Sequence, residues 1–148
     1  MVQRLPDQTR AFFLARGFDK ESADILGKKG CVFQSIMKNT AEKSATSLID
    51  IDLKLWRMSQ PNSSTTGIRL SSDWLKLWQH RGLGKSSQIA FKWSFFPTVQ
   101  HFQGGDYNWG MTSYGLPPGA SFDLTVVWKE NGQPHTEILP GIECAQDR

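Results

Sequence analysis

Cysteine, histidine and clustered charge are all scarce in this chain of 148 residues. There is no Cys-x-x-Cys, and the three histidines, His80, His101 and His135, lie too far apart in sequence to form a paired-imidazole metal motif on one helix or strand. Lysine and arginine exceed the acids by only three, and no basic run is longer than two residues. The concentrated stripe that nucleic acid or an anionic membrane would select is therefore missing. No apolar run approaches the length needed to cross a bilayer. The nucleophile elbow G-x-S-x-G, the zinc motif H-E-x-x-H, a phosphate loop and a glycine-rich dinucleotide turn are likewise absent. These absences leave no motif that carries a specific reaction, and the expectation is a protein that is not an enzyme.

Large rings are plentiful, with six Trp and nine Phe. A chain of this size can bury a real core, so a single domain over residues 1–148 is expected. The stretch Phe95–Trp128 gathers many of the rings, several glycine and proline corners and the best candidate core strand. It reads as the middle of a β-rich part that spans 47–144, packed against a helical segment at 7–39. The expected fold class is α+β, with the N-terminal helices lying on an antiparallel β-sandwich-like or curled sheet.

Pattern places the elements. Pro6 precedes an apolar cluster that stops at Gly17, and Asp19 caps a second helical stretch whose Ala23, Leu26, Gly30, Phe33 and Met37 recur at helical spacing. From Ser47 to Met58 the period changes to two, with Ile49, Ile51, Leu53 and Leu55 sharing one parity and Trp56 on the other. Trp74, Leu75, Leu77 and Trp78 fit a short helix capped by Ser72 and stopped at Gly82. Ile89, Phe91, Trp93 and Phe95 alternate as a strand, and Phe122, Leu124, Val126 and Trp128 form a last inward row. Across the hairpin beyond that row, a three-residue loop Glu130-Asn131-Gly132 sets Leu124 against Ile138 and Val126 against Thr136. That register keeps the row apolar, so it is preferred over a two-residue Asn131-Gly132 loop.

The two cysteines, Cys31 and Cys144, stand near opposite ends of the chain. Their number and placement favour a disulfide over two separate core thiols. Such a bridge would close a loop of about 114 residues, worth roughly 4 to 5 kcal/mol in the chain-entropy model. It implies an oxidising, periplasmic or secreted home. Because the opening MVQRLPDQTR has no apolar core, that home carries the further expectation that a leader or lipid anchor has been removed.

Candidate chemistry is sparse. Within the glycine corner, Asp106, Tyr107, Asn108 and Trp109 offer two flat rings beside polar groups, a candidate ligand-binding loop. Against that reading, Asp106 is expected first as a turn former and Trp109 as a core ring. His101, Met111 and His135 are the only soft-metal set, and copper is the metal they would suit. Cys144 with His135 makes a catalytic pair only if the disulfide is absent. Trp56, and one of the adjacent rings Phe12 and Phe13, are candidates for exposed contact surface. The leading expectation is a non-catalytic, extracytoplasmic binding or accessory domain that recognises a protein or small ligand through the 101–114 loop region and an aromatic surface. A periplasmic copper-binding protein using His101, Met111 and His135 is the alternative.

Overall fold

The computed structural model describes residues 1–148. A short strand, β1 (Val2–Gln3), leads into helix α1 (Pro6–Leu14), where Pro6 fills a first-turn position that needs no N–H donor. Gly17, at φ 85°, turns the chain out of that helix. Helix α2 (Lys20–Lys29) starts where the Asp19 carboxylate accepts from the Ser22 N–H at 2.8 Å. It ends at Gly30, and Cys31, held at φ 44°, reverses the chain.

Beyond Cys31 the chain enters strand β2 (Val32–Lys38), which corrects the expectation of helix through residue 39. β2 is the middle strand of a three-stranded antiparallel sheet, β1-β2-β7, with β7 spanning Tyr107–Ser113. Both of its faces are covered in the Val32–Ser35 half. Burial at both parities removes the period of two, so apolar residues two and four apart imitate a helical stripe.

The strand expected at 47–58 is broken in two. β3 (Leu48–Asp52) ends where the Asp52 carboxylate accepts from the Lys54 N–H, opening a single 3-10 turn, Leu53–Leu55, before β4 (Arg57–Ser59). The turn rotates the parity. Leu55 becomes exposed and Trp56 becomes buried, with its Nε1 donating to Val127 O at 3.1 Å. Strand β5 (Thr66–Gly67) pairs with β4. Helix α3 (Ser71–His80) appears as expected and is stopped at Gly82, φ 73°, but the cap is Leu70, whose N–H is taken by the Asp73 carboxylate.

Residues 85–94 form helix α4 (Lys85–Ser94), not the strand expected at 89–95. Ser87, Phe91 and Phe95 are buried, spaced four apart, while Ile89 and Trp93 point to solvent. A four-residue spacing contains every second member of an alternating row, so alternation at 89, 91, 93 and 95 does not discriminate helix from strand. Strands β6 (Val99–Gln103), β8 (Ser121–Glu130) and β9 (Gln133–Glu143) complete the chain.

β8 carries the second sheet. β9 pairs along one of its edges, while β4 and β3 share the other, β4 opposite Asp123–Thr125 and β3 opposite Trp128–Glu130. β6 extends the sheet beyond β3. The result is three layers. Val32 and Met111 face the helices and pack with Phe13, Phe18, Leu26, Trp78 and Phe91. Phe33 and Tyr114 face the second sheet and pack with Ile51, Trp56, Met58, Phe102 and Leu124. Between the sheets the buried hydroxyls of Ser35, Thr112 and Tyr114 satisfy one another at 2.8 and 3.1 Å. The fold is α+β, with helices packed on the outer face of the first of two stacked antiparallel sheets.

The β8–β9 hairpin takes the two-residue loop, correcting the preferred register. Val126 lies opposite Glu137 and Trp128 opposite His135. Asn131 at φ 49° and Gly132 at φ 80° form the turn that an Asn-Gly pair favours most. A charge opposite Val126 would be costly only on a buried face, but β9 is exposed almost throughout, so Glu137 remains in water. Asn131 also fixes the tip, because its side chain accepts from the Leu48 N–H and its own N–H donates to Leu48 O, both at 2.8 Å.

Candidate functional site

Strand β7 alternates between two environments. Gly110 and Thr112 face the second sheet, while Tyr107, Trp109 and Met111 share the face turned toward the helices. The helices cover Met111 and end there. Trp109 and Tyr107, further along the same face, are therefore bare, each 61% exposed. Their rings stack at 6.0 Å with 24° between planes. On the neighbouring strand, Ile36 pairs with Trp109 and is 67% exposed.

A second element adds to this surface. Trp93, near the end of α4, is 85% exposed, with Ile89 bare one turn earlier. The chain leaving α4 then passes directly over β7. Phe96 N–H donates to Met111 O at 2.9 Å, and a methyl placed on Gly110 would stand 2.5 Å from Phe96 N. Only glycine at 110 allows that crossing. It sets Trp93 and Pro97 beside Trp109 and Asn108 in an open groove that also meets Lys92.

The β6–β7 corner is firmly built. The Asp106 carboxylate accepts from the Gln103 N–H at 2.9 Å, which is the turn-forming role. Asn39, buried beneath, donates to Phe102 O and accepts from the Ala41 N–H. The Asn108 amide donates to Gln100 Oε1 at 2.9 Å, and its oxygen accepts from its neighbour's N–H, that of Trp109, at 2.8 Å. So Tyr107 and Trp109 project from a braced strand. Lys38, opposite Tyr107, and Lys92, beside Trp93, make no ion pair.

Of the predicted residues, Asp106, Tyr107, Asn108 and Trp109 come together, though Asp106 and Asn108 are occupied in bracing and the rings face out. Ile36 and Trp93 join them, and sequence reasoning missed both as members. The signal for Trp93 was available in the helical spacing of Ser87, Phe91 and Phe95 after Gly84. Ile36 could be found only once β2 was recognised as a strand.

His101, Met111 and His135 do not form a joint site. Met111 is buried between β7 and the helices. His101 is bound through Nδ1 to the carboxylate of Asp50, its partner on β3. His135 stacks on Trp128 at 5.5 Å. The order β6-β3-β8-β9 holds the two imidazoles three strand spacings apart, about 14 Å. They are also on opposite faces, since His101 shares the Asp50 and Lys129 side while His135 shares the Ile51 and Trp128 side. No group of three or more His, Cys, Asp or Glu is placed to hold a metal ion.

Cys144 is bonded to Cys31, with Cα atoms 5.2 Å apart, which removes it as a nucleophile for His135. Phe13 is buried, and Phe12 is half-covered by the guanidinium groups of Arg16, 3.3 Å from its ring centre, and Arg4. With Trp56 also buried, none of these three rings offers a contact surface. No helix is long and apolar enough to cross a membrane. No family model matches the chain, and no match was found among curated proteins or solved structures.

Proposed function

We propose that this chain is a non-catalytic binding or accessory domain, and that its contact surface is the patch of Ile36, Trp93, Tyr107 and Trp109. One observation carries the reading: four large apolar side chains from three elements stand exposed side by side while most of the remaining rings are buried. Exposed rings stacked on a braced strand lose little side-chain freedom on association, and Trp and Tyr dominate the energetics of protein contacts. The preferred partner is a protein, for which the groove between Trp93 and Trp109 receives an apolar side chain. Unpaired Lys38 and Lys92 at the rim favour acidic groups around that side chain. The Cys31–Cys144 disulfide supports an oxidising compartment, so the domain works in the periplasm or after secretion.

The test is site-specific photo-crosslinking in the producing cell, with a photoreactive phenylalanine at position 36 or 93 and a control at Glu137 on the exposed face of β9. A discrete adduct at 36 and 93, absent at 137 and removed by Trp109→Ala, supports the reading. The same diffuse labelling at all three positions contradicts it.

A further inference from the structure

A second groove lies at the C-terminal turn of α2, between that turn and α3. Its cations are Lys28 and Lys29 from α2 and Arg69 from the segment before α3, with Trp74 and Leu77 from α3 and Ile25 from α2 supplying apolar wall. No acid lines it. Lys28 is committed to Asp24, at 2.7 Å. Lys29 makes no ion pair, and its charge offsets the negative end of the α2 macrodipole, which would otherwise repel an anion here. Arg69 has neither role, and no carboxylate lies within ion-pair distance of it.

Arg69 is exposed, and one contact, with the Trp74 ring, orients its charged head. Its backbone N–H donates to Ser113 O at 3.0 Å, and its guanidinium lies 4.8 Å from the centre of the Trp74 ring. Gly115, at φ 68°, lets the stem pass, since a Cβ there would stand 3.3 Å from Arg69 Cβ. A guanidinium that lies over a ring with its N–H groups unbonded presents a free fork suited to carboxylate or phosphate. The groove, about 380 Å³, is lined also by Ile25, one turn before Lys29 on α2, and by Leu77. A few charged groups beside apolar side chains in one concave surface are what a small-molecule site needs.

We infer that this groove binds a small organic anion, its carboxylate or phosphate head between Arg69 and Lys29 and its apolar body along Ile25, Leu77 and the Trp74 edge. The site is independent of the aromatic patch, so either can fail without the other.

Calorimetric titration of the intact, oxidised chain tests it, at about 0.15 M salt so that diffuse surface attraction is screened. The probes are octanoate and phenyl phosphate, which separate the two head chemistries, with acetate, inorganic phosphate and octyltrimethylammonium as controls. One saturable site is expected for octanoate or phenyl phosphate, with at least tenfold tighter binding than the matching short anion and none of the cation. Arg69→Gln should weaken that site about tenfold, equivalent to ~1.4 kcal/mol, and Lys29→Gln about threefold. Near-UV circular dichroism verifies the fold of each variant. Because Lys29 is exposed on its helix, its variant keeps the test valid if Arg69→Gln fails to fold. Absence of saturation, short anions binding as well as long ones, or unchanged affinity in folded variants overturns the inference.

Discussion

Replacing both Cys31 and Cys144 by alanine removes the only covalent tie between the start of β2 and the end of β9. The two residues are 113 apart in sequence, and both are buried in the core between the sheets. A loop of that length gives roughly 4 to 5 kcal/mol of unfolded-state restriction in the chain-entropy model. A domain of this size has roughly 5 to 15 kcal/mol in total, so the double variant should keep its fold with much reduced stability. A further contribution can be isolated. Cys31 sits at φ 44°, a left-handed conformation that costs a residue with a side chain roughly 1 kcal/mol relative to glycine. Accordingly, Cys31→Gly/Cys144→Ala should be about 1 kcal/mol more stable than Cys31→Ala/Cys144→Ala. Urea titration followed by tryptophan fluorescence measures both differences. A loss below about 2 kcal/mol in the double alanine variant, with an unchanged urea slope, would refute the idea that the long loop makes this bridge a main stabilising element.

Two further substitutions test contacts away from the disulfide. Arg10 binds Asp147 through two bonds of 2.7 Å and also reaches Asp7 and Asp24, so it clamps the chain end to α1 and α2. The bond to Arg10 lowers the pKa of Asp147, bonds to Lys28 and then Arg10 lower that of Asp24, and the Ser22 N–H lowers that of Asp19. With folded values below the unfolded value of about 3.9, the unfolded state binds more protons in that range. The stabilisation is present above about pH 4 and is lost as pH falls through the depressed values, and Arg10→Ala should flatten the acid limb of a melting-temperature profile from about pH 6 to about pH 2. Gly110→Ala should destabilise by about 1 to 3 kcal/mol, since its methyl meets the Phe96 backbone on a crossing with no slack. The same substitution should reduce crosslinking from position 93 by displacing Trp93 from Trp109, whereas crosslinking from position 36 changes less.

Local chemistry made α1, α3 and the disulfide legible. Pro6, Gly17 and Gly82 act within a few residues of themselves, and two cysteines leave one pairing. Elements hidden from pattern were decided by neighbours distant in sequence. β2 lost its alternation because helices cover one side and a sheet the other, and α4 kept an apparent alternation because Ile89 and Trp93 are exposed apolar residues. The second case bears on the site. Reading every large ring as core assigns Trp93 inward, and the surface it forms with Trp109 then disappears. The hairpin register failed for a related reason, since an apolar row on β8 does not require its partner strand to be buried.

Trp93 and Trp109 are, on this account, kept for contact and not for folding. The most direct measurement is the unfolding free energy of Trp93→Ser/Trp109→Ser set beside its crosslinking from position 36. The account predicts a stability within about 1 kcal/mol of the parent chain, as for exposed positions, together with loss of the adduct. A variant destabilised by several kcal/mol, or one that retains the adduct, would contradict it.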